Sequence, residues 1–255
     1  VVAVLVGLYL ISTIAHLYNL LKRHTLAIYV GISSLVGGFL LHTAMLGVSF
    51  SVAESRGWGV WLSALSWVII LLYLGVFFRY RDMSLGGFAV PIGFVVEGYA
   101  SSFPGVWGAG STEVQGYLLV GHALLALLSG ASFFLLFGFS LMYVTQSGQL
   151  KSKRPSAWLH RLPSLGVLDD LNHKILYFGF AFLTASMLIG SMWAKSKHGA
   201  YWSLDPMKTW PLVLVWGAYG VLLVCRLTRS WKGHRSAVFS MVSFVAVVFA
   251  IAVHL

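Results

Sequence analysis

Nine histidines and ten tryptophans stand in a 255-residue chain that is 58% hydrophobic and only 9% charged. An ionisable side chain inside an apolar run is costly to bury and is a functional candidate by default. A neutral imidazole also offers a lone pair to a metal, haem iron included. The densest aromatic cluster is Gly190 to Trp210, GSMWAKSKHGAYWSLDPMKTW, which sets Trp193, Tyr201, Trp202 and Trp210 around Asp205 and Pro206. A polar connection between two apolar runs has no packing need for that much aromatic area, and open apolar patches mark surfaces for something else. A flat, apolar cofactor such as haem is one such thing. Asp205 followed by Pro206 has the form of a helix start, the carboxylate as cap and the proline in the first turn. Trp210 then projects about one turn up that helix. Trp58, Trp61, Trp67 and Trp107 need no account beyond the aromatic belts of membrane interfaces.

The elements that position these residues are membrane spans. Apolar runs of about 20 residues recur, each long enough for roughly 30 Å of hydrocarbon. Eight are expected, at 1–21, 26–48, 59–78, 85–103, 115–145, 174–193, 210–228 and 237–255, which makes the chain an all-α polytopic membrane protein. The first run lacks a basic leader and a small-residue cleavage site, so it reads as a retained span rather than a signal peptide. The fifth, at about 46 Å, exceeds what a bilayer needs and implies tilt or protrusion. The polar stretch 146–173, with Pro155, Pro163 and the Asp169-Asp170 pair, has room for a short surface helix. No internal repeat or linker is visible, so 1–255 reads as a single membrane domain. The single cysteine, Cys225, excludes an internal disulfide and any CxxC motif.

The formal charge of +10 falls unevenly on the connections. One alternating set carries Lys22, Arg23, Arg79, Arg81, Lys151, Lys153, Arg154, Arg161, Lys174, Arg226, Arg229, Lys232 and Arg235. The other carries only Arg56, Lys195, Lys197 and Lys208. The positive-inside rule places the first set in the cytoplasm. It accounts for the basic balance without nucleic acid. Both termini and the Trp-rich connection then face outward, toward the periplasm of a bacterial inner membrane.

Depth sorts the histidines on that frame. His42, His122, His198 and His254 converge on the outer leaflet, and His16 alone lies in the inner half of a span. His24, His160, His173 and His234 sit beside cytoplasmic Lys and Arg, where loop polarity and headgroup contact explain them. For His42 and His122 an interhelical hydrogen bond is the alternative to iron ligation. An interfacial position is the alternative for His254, and a solvated loop for His198. Glu97, in GFVVEGYA, is open to two readings: a neutral acid bonded to a neighbouring helix, or a proton acceptor beside a quinone or a ligating histidine.

The segment WAKSKHGAYWSLDPMKTW resembles the tryptophan-rich WWD domain of the CcsA, CcmC and HemX-like haem-handling proteins of cytochrome c assembly, nearest the CcsA/HemX branch. The likeness extends to VGHALLALLSGASF, LDDLNHKILYFGFAFLT and CRLTRSWKGHRSA, covering about 117–250. Residues 1–116 resemble the HemX-type half more loosely, through GGFLLHT and the RYRD turn. The resemblance implies an outer haem site on an aromatic shelf between two histidines, one at the position of His122 and the other after the last span, where His254 is the candidate. It also implies an inner haem site whose ligand position is occupied here by Val224. Two shelf tryptophan positions are His198 and Leu204, and the Lys-Glu after Asp-Pro is Met207-Lys208.

Two functions follow. In one, the chain holds non-covalent b-type haem at its outer face through His122 and a second histidine, with Trp193, Tyr201, Trp202, Asp205 and Trp210 forming the shelf. It then serves maturation of a periplasmic c-type cytochrome beside another membrane subunit. In the other, a permanent b-haem between His42 and His122 passes electrons between quinone and an external cytochrome or metalloenzyme, with Glu97 as the quinol's proton acceptor.

Overall fold

Eight helices follow the eight apolar runs: α1 (Val2–Lys22), α2 (Thr25–Val52), α3 (Trp58–Tyr80), α4 (Gly86–Ala100), α5 (Tyr117–Lys151), α6 (Leu165–His198), α7 (Pro206–Leu227) and α8 (His234–His254). The computed structural model describes residues 1–22, 24–52, 55–56, 58–103, 112–113, 117–151, 159–201 and 206–254, with backbone only at 51–52, 55–56, 112–113, 198, 206–208 and 254. Every one of the eight helical runs is long and apolar enough to cross a membrane, so this is an all-helical, multi-pass membrane protein. The only strands among the described residues are a two-residue antiparallel pair, β1 (Ser55–Arg56) with β2 (Thr112–Glu113).

α6 begins nearer the N-terminus than hydropathy indicates. Leu168 and Leu171 are buried three residues apart, and Lys174 pairs with Asp170 at 2.6 Å one turn back. That amphipathic turn continues the helix through charges that end the apolar run. At the other end α6 runs through WAKSKH to Gly199, whose φ of +76° and N–H bond to the Lys195 carbonyl at 2.9 Å form a left-handed cap. Trp193, expected as the last residue of the sixth span, therefore stands inside α6, with the helix continuing beyond it. α7 opens on Pro206, as the sequence indicates, while Asp205 lies outside the described residues. The RYRD turn likewise has a local cause. Arg81, at φ 55°, ends α3 with its N–H on Phe77 O, and the Asp82 carboxylate caps the 3-10 turn that leads into α4.

The chain forms two compact units, Val1–Glu113 with Gly148–Ser164, and Val114–Ser147 with Leu165–Leu255. In the first, α1 to α4 approach closely where glycines face rings. A Cβ at Gly38 would lie 2.9 Å from the Tyr9 ring, and one at Gly93 would lie 2.6 Å from Ile70 Cδ1. Small residues let membrane helices meet in this way. In the second, Phe133 of α5 stacks on Tyr219 of α7 at 3.9 Å, and Ser140 bonds Ser240 of α8 at 2.7 Å.

One end of the second unit is closed by an ion pair between the buried Arg226 and the half-buried Asp169. Arg226, at the end of α7, donates to Asp169 Oδ1 and to its carbonyl, each at 2.8 Å, and to Ser236 Oγ at 3.0 Å. The Gly233 N–H adds a bond to the same carboxylate. Asp169→Asn leaves the guanidinium short of its counter-charge. Thermal unfolding in detergent is expected to show a loss of about 3 kcal/mol, largely recovered in the Asp169→Asn/Arg226→Met double variant.

Candidate functional site

His122 lies on the second turn of α5 and packs against the last third of α6. Its Nδ1 is 2.9 Å from the Ser186 carbonyl and 3.0 Å from Ser186 Oγ, and that hydroxyl donates to the His122 carbonyl at 3.1 Å. A carbonyl only accepts, so Nδ1 carries the hydrogen, and in the neutral ring Nε2 keeps the lone pair. Nε2 has no hydrogen-bond partner among the described residues. The ring fits because position 190 has no side chain: a Cβ there would lie 2.6 Å from Nδ1 and 2.8 Å from Cε1. Ser186, Gly190, Trp193 and Lys197 recur at helical spacing, so His122 and Trp193 share one face of α6.

The shelf continues beyond that face. Lys197 lies 5.7 Å from the Trp193 ring centre, and Lys195 lies 4.1 Å from that of Tyr201, with its amine on the phenol oxygen. Such cation–ring contacts fix aromatic orientation at modest energy. Tyr201 is 51% exposed and Trp210 64% exposed, which leaves open aromatic area at this end of the unit. Along α6 the rise from Asp169 to Gly190 is about 32 Å, so the ion pair and His122 stand one hydrocarbon thickness apart. Trp202 and Asp205 lie outside the described residues. The side chains of His198 and His254 do as well, although their backbones close α6 and α8.

His42 and Glu97 belong to the first unit, where one residue from each of four helices meets. Tyr9 Oη is 3.0 Å from His42 Nδ1, His42 Nε2 is 2.9 Å from Ser63 Oγ, and Ser63 Oγ is 2.8 Å from Glu97 Oε2. Ser101 Oγ reaches Glu97 Oε1 at 3.3 Å. Tyr9, His42, Ser63 and Glu97 are all fully buried. Both ring nitrogens of His42 are thus engaged, and this arrangement leaves it no lone pair for iron. His16 forms a second layer nearer the opposite helix ends. Its Nδ1 bonds the Ser12 carbonyl at 2.8 Å, its Nε2 is 3.4 Å from Tyr73 Oη, and its ring lies against Gly31 and Gly86.

A family model described as "Cytochrome C assembly protein" matches residues 60–253, well over half of the chain. The chain belongs to the cytochrome c assembly protein family. Among curated relatives, the "Cytochrome c biogenesis protein CcsA" of Porphyra purpurea is 39% identical over 87 residues, 34% of this chain and 27% of that protein. The one from Chlamydomonas reinhardtii is 43% identical over 82 residues, 32% of this chain and 23% of that protein. The one from Trieres chinensis is 26% identical over 214 residues, 72% of this chain and 68% of that protein. In the first two alignments the chain therefore spans less than a third of its relative's length. The sequence singles out His122, Trp193, Tyr201 and Trp210 as candidates but does not show what positions them. Ser186 and Gly190 carry no chemistry by type. Their only signal is small-residue spacing on α6, continued upstream by Gly179, whose Cβ would meet Ser132 Cβ at 2.9 Å.

Gly190→Ala is expected to displace the imidazole and destabilise the protein by about 1–3 kcal/mol. Gly217→Ala, where a Cβ meets nothing within 4 Å, is expected to be close to neutral. Thermal unfolding of the two variants side by side checks this.

Proposed function

We propose that this protein holds haem at the outer face of a bacterial cytoplasmic membrane for the maturation of c-type cytochromes. The observation that carries the reading is the His122 imidazole, whose Nδ1 is committed to Ser186 and whose Nε2 has no partner among the described residues, with Trp193 farther along the same face of α6. A ligating histidine needs its second nitrogen fixed in this way, because that bond sets the tautomer and raises the basicity of the other nitrogen. Family membership supports the same reading, as do the names of the CcsA relatives. The outward placement rests on the loop charges, which put Lys195 and Lys197 on the sparsely charged side.

In this account His122, through Nε2, would ligate the iron of a non-covalently held haem, and Trp193, Tyr201, Trp202 and Trp210 would pack against its ring. His254 or His198 would supply a second ligand. Haem, when bound, supplies iron and the vinyl groups to which an apocytochrome's cysteines attach. The chain's own residues bind and orient it, and limit the aqueous exposure of its ring. A partner membrane subunit and the apocytochrome meet the protein at this end. The electron-transfer reading asks His42 for a lone pair that Tyr9 and Ser63 already engage, so the haem-delivery reading is preferred.

Haem titration of the purified protein tests this. A saturable absorption change at one haem per chain is expected. His122→Ala is expected to weaken binding at least about tenfold, or about 1.4 kcal/mol, with partial recovery on adding imidazole. Undiminished affinity in His122→Ala would remove the proposed ligand.

A further inference from the structure

We propose that Tyr9, His42, Ser63, Glu97 and Ser101 form a proton-exchange site in the first unit, which stores one proton on the His42–Glu97 pair and trades it with water at the end of α4. The proposal is independent of haem. It rests on the continuity of the hydrogen-bonded chain and on its burial, since an uncompensated charge in hydrocarbon costs several kcal/mol. Among the described residues, hydrogen bonds bring the following groups to the pair. α1 contributes the Tyr9 phenol, α2 the His42 ring and α4 Glu97 itself, while α3 contributes the Ser63 hydroxyl. No Lys or Arg among the described residues bonds to Glu97, so His42 is its natural counter-charge, with Nε2 at 3.6 Å from Oε2.

Two proton arrangements fit the same heavy atoms. In the neutral one, Glu97 Oε2–H donates to Ser63 Oγ, the Ser63 hydroxyl donates to His42 Nε2, and Nδ1–H donates to the Tyr9 oxygen. In the charge-separated one, the Glu97 proton has passed to Ser63 Oγ while the Ser63 proton has passed to Nε2. One O–H bond breaks at Glu97 and one forms at Ser63; one O–H breaks at Ser63 and one N–H forms at His42. The result is an imidazolium and a carboxylate joined through a serine, with net charge unchanged. The distances of 2.8 and 2.9 Å serve both arrangements.

The chain has one closed end and one open end. Tyr9 is sealed, its ring against Gly38. At the other end Glu97 Oε1 accepts from Ser101, which follows the last residue of α4 and is partly exposed, next to the exposed Ser102. Exchange with water runs through that hydroxyl: with the Glu97 proton turned onto Oε1, Ser101 Oγ takes it while releasing its own proton to water, and the reverse relay returns a solvent proton to Oε1, so one proton leaves for each that arrives.

Infrared spectroscopy of the full chain in detergent tests this through the carbonyl stretch of a protonated carboxyl. Glutamate labelled with ¹³C at the side-chain carboxyl assigns the band to Glu, and Glu97→Gln is expected to remove it. On transfer to D₂O the band should shift while the protein stays folded. Ser101→Ala should slow that shift at least about tenfold with the melting temperature unchanged. Three results would overturn the proposal: no protonated glutamate band, a band that shifts only on unfolding, or an unaltered exchange rate in Ser101→Ala. If Glu97→Gln fails to fold, the labelled band and Ser101→Ala carry the test alone.

Discussion

Hydrocarbon offers no partner to a polar group, so every imidazole, carboxyl and guanidinium inside this chain must be satisfied by a neighbouring helix. That constraint explains much of the fold. Glu97 reaches α3 through Ser63 and so to His42 on α2 and Tyr9 on α1. Arg226 reaches the start of α6 at Asp169 and the start of α8 at Ser236. Each network fixes the rotation of its helices, because a turned helix would strand a charge or a donor. The glycines that face these groups are the steric counterpart. Gly31, Gly38, Gly86 and Gly190 stand where a side chain would collide with the ring being held.

The same residue type meets different fates according to which of its nitrogens the neighbours occupy. His42 has partners on both ring nitrogens and joins helices. His16 does the same in a second layer, with Tyr73 at the longer distance of 3.4 Å. His122 is held by one nitrogen only, against a backbone carbonyl that can do nothing but accept. An imidazole held in this way has its second nitrogen free of bonds to the described residues. The distinction lies in atoms, so a residue count or a depth estimate cannot draw it.

Much of the architecture was legible in the sequence. The eight spans follow from hydropathy, and the Pro206 helix start follows from local chemistry. The length of α6 was not legible, because the buried stripe of Leu168 and Leu171 runs beneath Asp169 and Asp170, and an apolar-run reading stops at those charges. The motif glycine Gly199 was legible as a motif, and the structure supplies its reason: it ends α6 in the left-handed conformation and brings Tyr201 back toward Lys195. The partners of His42 were not legible. Ser63 and Tyr9 are ordinary residues of apolar helices, and only the crossing of four helices makes them a chain with Glu97.

The central claim is that His122 is pre-set as a ligand by its Nδ1–H bond to Ser186. Nitrogen NMR of the haem-free protein with ¹⁵N-labelled histidine, assigned by the loss of one spin system in His122→Ala, measures this directly. The account predicts a neutral ring with the hydrogen on Nδ1 and a bare Nε2. A ring that carries its hydrogen on Nε2, or that exchanges freely between the two tautomers, would contradict it.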